Sequence, residues 1–283
     1  MIRIAIQSKG RLNEESVSLL RDAGVYVDDQ KRKFLGRAAN FPLEVLYLRD
    51  DDIPEVVADG SAHIGIVGLN EVAETGAQVR VVRRLGFGQC RISLAVPKEA
   101  DYQGPQWFNG KTIATSYPNI LGQYLSRNGI DAAVRVIKGS VEIAPAAGIA
   151  DAIFDIVSSG GTLVSNGLRE VERVFESEAV LIAGDTLGDE QQALLRQLLF
   201  RFDAVVESRG KKYILMNIPA DRVDDAIALL PAMRSPTVMP LAAEGWCSLH
   251  SVVSDNELWD KVERLKALGA EGILVLHLDK VIE

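Results

Sequence analysis

The order of the apolar segments constrains this chain most. From residue 2 to residue 68, "IRIAIQ", "LEVLYL" and "HIGIVG" have strand length, while "NEESVSLLRDAG" and "DIPEVVADG" between them carry helical spacing. Strands separated in this way join as parallel neighbours through helical crossovers, which points to an α/β fold and away from a bundle or sandwich. Asn13 stands where a side chain would cap the first helix, with Glu15 and Ser16 in its opening turn, and Gly24 stands where that helix would end.

The order returns from Lys111 to Leu163 as "TIATSY", a helix through "NILGQYLSRNG", "AAVRVI", a helical "EIAPAAGIAD" and the strand "AIFDIVSSG". Aligning "VVADGSAHIGIVG" with "APAAGIADAIFDIVSSG" matches a helix, a glycine with alanine close behind it, and a strand ending at glycine. That is the pattern of two similar lobes with a cleft between them. "GFGQCRISLAVP" reads as a strand leaving the first lobe, and "AVLIAG" with the helix "DEQQALLRQLLFRFDAVVES" as the return path. The expected first lobe is therefore 1–90 with 180–211, and 91–179 is inserted in it. Beyond "SRGKK" the order "YILMNIP", "ADRVDDAIALLP", "TVMPLA", "WCSLHSVVS", "NELWDKVERLKALGA", "GILVLHLDKVI" is βαββαβ, a ferredoxin-like unit over 212–283.

Composition narrows the function classes. With 283 residues, 47% of them hydrophobic, the chain has material for full cores. Its 31 basic and 39 acidic residues leave a net charge of -8, which argues against a broad nucleic-acid footprint and leaves anions to local pockets. Cys90 and Cys247 are far apart and lack a histidine cluster, so neither a disulfide framework nor a zinc site is expected, and a reducing compartment fits. "MIRIAIQSKGRL" has no apolar signal core, and no run approaches the ~18 apolar residues of a membrane helix. A soluble, cytoplasmic protein without membrane or nucleic-acid partners is the expectation.

The chemistry concentrates in "ADAIFDIVSSGGTL", residues 150–163. In parallel α/β sheets ligands sit beyond the carboxyl ends of strands, where a glycine turn lets N–H groups converge on an anion at the next helix. Ser158, Ser159 and Thr162 add hydroxyls, Gly160 and Gly161 remove obstructing Cβ atoms, and "LVSNGLREVERVF" reads as the helix that follows. The loop matches neither nucleotide-binding glycine signature, so it is a phosphate cradle without a triphosphate motif. Asp151 and Asp155, four residues apart, would share one face of the strand and one pocket. Such a pair suits the two hydroxyls of a ribose phosphate, or a magnesium ion bridging hydroxyls and a diphosphate. The alternative for Asp151 is a turn cap.

"EIAPAAGIADAIFDIVSSGGTL" is similar to the phosphoribosyl pyrophosphate segment of the ATP phosphoribosyltransferase family, which opens histidine biosynthesis. "QSKGRL", "LRDDDIPEVVADGSAHIGIVGLN", "IATSYPNI" and "SPTVMPL" resemble further stretches of that family, in order, over essentially the whole chain. The resemblance implies a catalytic core folded like the type II periplasmic binding proteins, the ferredoxin-like tail of the family's long form, and transfer of phosphoribosyl to N1 of ATP with release of pyrophosphate. Displacement at an anomeric carbon passes through an oxocarbenium-like state, so positioning, Mg²⁺ and cations at the leaving group suffice. No nucleophilic triad is required, and none is in view.

Within that resemblance, Lys9 and Arg11 around Gly10 would neutralise the diphosphate or the triphosphate of ATP; otherwise they form a solvated turn. Arg49, beside Asp50, Asp51 and Asp52, is assigned to phosphate contact. Ser116 and Tyr117 would reach substrate across the cleft, although Tyr117 equally fits a packed aromatic above Pro118. Glu142 serves a helix dipole, or touches the ribose or the metal, whose ligand is left open. His63, His250 and His277 read as structural, and Gly65 and Gly68 as points of close packing. For the tail, the resemblance implies inhibition by histidine bound at Asn217, Thr237, Val252 and Gly272, where Asn217 is an amide in place of an acid found in some members. It also implies a homohexamer in exchange with dimers. Two other classes remain: a solute-binding or sensing module, and a phosphoribosyltransferase for another base.

Overall fold

Strand β1 (Ile2–Gln7) is apolar at four of its first five positions and buried on both faces, as befits the middle of a parallel sheet. The structure, a computed structural model, describes residues 1–27, 35–230 and 235–282. After β1 come α1 (Arg11–Asp22), β2 (Leu35–Arg37), β3 (Leu43–Leu48), α2 (Ile53–Ala58), β4 (Ile64–Gly68), α3 (Leu69–Thr75) and β5 (Arg80–Arg84). Next are β6 (Cys90–Pro97), β7 (Thr112–Thr115), α4 (Pro118–Asn128), β8 (Ala133–Val136), β9 (Ala152–Val157), α5 (Gly161–Ser165) and β10 (Leu168–Ser177). β11 (Ala179–Ala183) and the long α6 (Asp189–Ser208) follow. The chain divides into two units, 1–197 and 198–283, inside α6.

Among the described residues, the first unit holds two sheets, ordered β2-β3-β1-β4-β11-β5 and β10-β6-β9-β7-β8. β1 runs parallel to β3 and β4, and β7 runs parallel to β8 and β9. β4 is flanked on its other side by antiparallel β11, and β9 by antiparallel β6. The two strands aligned in the internal repeat therefore occupy equivalent places in two similar sheets.

Three local expectations are corrected. Gly10, with φ 91°, occupies the cap position of α1, and Asn13 lies inside the helix, where its Nδ2 donates to the Gln7 carbonyl at 2.5 Å. "EIAPAAGIAD" does not form a helix: a 3₁₀ turn at Val141–Ile143 runs into one further turn that Gly148, at φ 65°, closes. "LVSNGLREVERVF", residues 163–175 and expected as helix, is helical only as far as Ser165, in α5, and from Leu168 the chain is strand β10. Its pairing with β6 skips Val171 and Val174 at two irregularities, so apolar residues recur every third position and imitate a helix.

The second unit contains β12 (Lys211–Pro219), α7 (Val223–Leu229), β13 (Thr237–Pro240), β14 (Trp246–Ser254), α8 (Leu258–Ala267) and β15 (Glu271–His277). Strand order β13-β14-β12-β15 with antiparallel neighbours is the ferredoxin-like arrangement. Ile214, Met216 and Ile218 alternate into the core with Leu249, Val253 and Leu265. Among the described residues no helix is long and apolar enough to cross a membrane.

Gly65 sets how closely α2 approaches β4: a Cβ there would meet Ile53 Cγ2 at 2.8 Å and Val57 Cγ2 at 3.0 Å. Gly65→Ala is expected to lower unfolding stability by about 1–3 kcal/mol through overpacking. Urea titration measures it, and an unchanged midpoint would mean that α2 moves freely.

Candidate active site

Parallel pairing gathers the carboxyl ends of β1, β3 and β4 on one edge of the first sheet, and those of β7, β8 and β9 on one edge of the second. Side chains tie the two edges together. Tyr117, just after β7, donates its hydroxyl to Glu71 Oε1 at 3.2 Å, and Asn70 Nδ2 reaches the same carboxylate at 2.7 Å. Ser177 Oγ donates to Asn70 Oδ1 at 2.7 Å and accepts from the Asn70 N–H at 3.0 Å. Glu74 accepts from the N–H groups of Asn119 and Ile120 at 2.8 and 3.0 Å, capping α4 from α3. Gly68 makes room for this bridge, since a Cβ there would lie 2.3 Å from Asn70 Oδ1.

Burial pushes Glu71 up to about 7, with the charges of Asp50, Asp51 and Glu74 adding to it against the Tyr117 hydrogen bond. Burial also raises Tyr117, and the charges of Glu71, Asp155 and Asp50 raise it further. Acids from both sheet edges therefore act on one place. Tyr117 is 8% exposed and packs with Ile120, Leu121 and Phe154, so the packed-aromatic reading describes its ring. Ser116 donates its hydroxyl to the Ile137 carbonyl at 2.7 Å.

The expectation that Asp151 and Asp155 share a pocket is corrected. Asp151 precedes β9, is exposed, and accepts from the Thr112 N–H at 2.8 Å. It borders a groove of about 570 Å³ with Glu99, Trp107 and Lys111, at the amino end of the strand. Asp155 lies on β9 towards its carboxyl end, on the order of 13 Å away at ~3.3 Å per residue. Sharing a strand face did not bring the two acids together because they sit near opposite ends of the strand. The carboxylate that does act on Asp155 is Glu142. Burial pushes Asp155 up to about 6 and the Glu142 charge adds to this, against a hydrogen bond from the Ile156 N–H.

Beyond β9 the chain turns through exposed Ser158 and Ser159, Gly160 at φ 82°, then Gly161 and Thr162 in the first turn of α5. The left-handed Gly160 reverses the chain here, a conformation that favours glycine. On the other edge, Lys9 is exposed, Arg11 pairs with Glu15 at 3.3 Å, and Gln7 Nε2 donates to Asp50 Oδ2 at 3.2 Å. Arg49 is turned onto Asp51 through two 3.0 Å hydrogen bonds, an exposed pair that an incoming phosphate could displace at small cost.

No group of three or more His, Cys, Asp or Glu side chains that could hold a metal occurs among the described residues. Mg²⁺ is commonly held by only one or two carboxylates together with substrate oxygens, and Glu142 with Asp155 fits that donor set. In the tail, Asn217, Thr237 and Val252 lie on the sheet face opposite the helices, and a Cβ on Gly272 would come within 3.3 Å of Asn217 Nδ2. Val252 pairs with Tyr213, four residues along β12 from Asn217. Glu271 is the cross-strand partner of Asn217, at an irregularity in the pairing of β12 with β15. His250 holds the Tyr213 hydroxyl at 2.7 Å and Ser248 Oγ at 2.9 Å.

Sequence reasoning did not single out Asn70, Glu71 and Glu74. The signal available was their position directly after the strand "IGIVG", the equivalent of the serine–glycine loop after β9.

The model of the family described as ATP phosphoribosyltransferase matches residues 49–204, and that of the HisG C-terminal domain matches 208–280. An ATP phosphoribosyltransferase of Bacteroides fragilis is 56% identical over 282 residues, covering both chains fully. One from Cytophaga hutchinsonii is 52% identical over 283 residues, covering 100% of this chain and 99% of its own. Among solved structures, the ATP phosphoribosyl transferase (HisG:HisZ) complex from Thermotoga maritima has a chain matching at TM-score 0.61 and 28% identity. That match covers 71% of this chain and 98% of that one. With two family models spanning most of the sequence and full-length relatives above half identity, this chain belongs to the ATP phosphoribosyltransferase family of histidine biosynthesis.

Proposed function

We propose that the chain transfers phosphoribosyl from phosphoribosyl pyrophosphate to N1 of ATP, releasing pyrophosphate, as a cytoplasmic enzyme with lobes 1–90 plus 180–211 and 91–179 and a regulatory domain 212–283. The observation that carries this reading is that the turn holding Glu142 packs against β9, so that the Glu142 charge acts on Asp155 just before the Ser158–Thr162 loop. The loop's N–H groups and hydroxyls bind the 5-phosphate, and ionised Asp155 accepts hydrogen bonds from the ribose hydroxyls. Lys9, Arg11 and Arg49 border the opposite edge, where they neutralise the diphosphate and the ATP phosphates. Ser116 and Tyr117 line the seam between the two edges, and Asp151 supports the strand start. Mg²⁺, held by Glu142 and Asp155 with substrate oxygens, would supply charge neutralisation for the leaving group. ATP N1 is the nucleophile, so the protein's task is alignment and exclusion of water.

Histidine is proposed to inhibit through the open sheet face of the tail, at Asn217, Thr237, Val252 and Gly272, with Glu271 supplying the charge that Asn217 lacks. The assembly is proposed to be a homohexamer in exchange with dimers.

Incubation with Mg²⁺, ATP and phosphoribosyl pyrophosphate should yield the N1-linked adduct, followed by absorbance. Product only with another base would assign a different phosphoribosyltransferase, and no turnover with any base would assign a binding module. Asp155→Asn is expected to lower kcat/KM for phosphoribosyl pyrophosphate about 10–100-fold, the worth of a hydrogen bond to a charged group. Because its folded pKa is raised, Asp155 gives up stability as pH rises through about 6. The Asn variant should therefore be at least as heat-stable as wild type at pH 8, and a fall in Tm would indicate a core role. In wild type, kcat/KM for this substrate should decline below pH about 6 as Asp155 becomes protonated. For the tail, Glu271→Gln should raise the histidine concentration needed for inhibition by roughly fivefold, as expected for exchanging a charged for a neutral acceptor. An unchanged requirement places the ammonium elsewhere.

A further inference from the structure

Arg91 lies at the start of β6, directly across from Val157, the last residue of β9 before the loop. Its Nε and Nη2 donate to the two oxygens of Glu170 on β10, each at 2.6 Å, and its Nη1 donates to the Ser158 carbonyl at 3.0 Å. Ser93, 1% exposed and the cross-strand partner of Asp155, donates to Glu170 Oε1 at 2.8 Å. Arg173 Nε reaches the same oxygen at 3.3 Å. A bidentate fork removes the rotational freedom of the guanidinium, so the remaining Nη1 can aim in only one direction.

We propose that Arg91, locked by Glu170, is a positioning residue that sets the phosphate loop for substrate. In a trans peptide the carbonyl of one residue and the N–H of the next point in opposite directions. Holding the Ser158 carbonyl against Arg91 therefore turns the Ser159 N–H the other way, at the entrance to the left-handed turn of Gly160. The ligand class is the phosphate monoester of a phosphorylated pentose, and the inference rests on the proposed reading of that loop. Arg91 does not touch the ligand. Its cationic charge is consumed by Glu170, and what it transmits is geometry.

The test uses the full chain with Arg91→Met, Arg91→Lys and the paired Arg91→Met/Glu170→Met, in which two apolar side chains replace the ion pair and the mostly exposed Arg173 is left to solvent. KM for phosphoribosyl pyrophosphate and for ATP is measured, along with amide hydrogen exchange over residues 158–163. Arg91→Met is expected to raise KM for phosphoribosyl pyrophosphate about tenfold, from loss of one charge-assisted hydrogen bond. KM for ATP stays within about twofold while loop exchange accelerates. Arg91→Lys, which cannot make the fork and reach the carbonyl together, recovers only part of the affinity. If Arg91→Met does not fold, the paired variant carries the test and shows the same split. An unchanged KM for phosphoribosyl pyrophosphate, with or without faster loop exchange, overturns the proposal, as does an equal rise in both KM values. A wild type that does not use phosphoribosyl pyrophosphate overturns the functional reading instead, and loop exchange alone then decides the Arg91 contact.

Discussion

The bridge of Tyr117, Glu71, Asn70 and Ser177 is the interaction on which the rest of the catalytic unit depends. Each sheet has strand ends rich in polar groups, but neither edge has chemistry enough alone. Hydrogen bonds that run from the turn after β7, through Glu71 and Asn70 on α3, to the end of β10 hold the edges face to face. Every member is buried, so each polar atom left unpaired would cost on the order of 1–3 kcal/mol. Burial, which pushes Glu71 up to about 7, makes the bridge compatible with an uncharged carboxyl near neutrality. That lets several acids from the two edges crowd one cleft.

Much of the fold was legible because its signals are local. The alternation of strand and helix segments, the terminal glycine of α1 and the βαββαβ order of the tail are each built from segments whose own pattern is local. The failures share a cause. β10 imitates a helix because two irregularities in its pairing shift Val171 and Val174 out of the two-residue period, and only the partner strand β6 reveals this. Likewise Gly148 ends a helical turn that composition alone would extend, and Gly10 displaces Asn13 from the cap of α1.

The site was legible to the extent that it follows from one strand and its exit. Asp155 in an apolar run, followed by serines and glycines, stands out because a buried carboxylate and a left-handed turn both need a reason. Asp151 carried the same pattern and belongs to the other end of the strand. Glu142, suspected for its resemblance, is the acid that the fold brings to Asp155, across a turn that no periodicity describes. Glu71, Arg91 and Glu170 were invisible. Each is an ordinary charged residue until a neighbour from a distant part of the chain gives it a partner.

In the proposed reaction the loop beyond β9 receives the 5-phosphate while Asp155 receives the ribose. A crystal structure of the full chain with phosphoribosyl pyrophosphate tests this most directly. Phosphate oxygens are expected within hydrogen-bond distance of the Ser159–Thr162 N–H groups, and ribose hydroxyls on Asp155. A substrate whose 5-phosphate lies instead against Lys9 and Arg11, or in the groove beside Asp151 and Trp107, would contradict it.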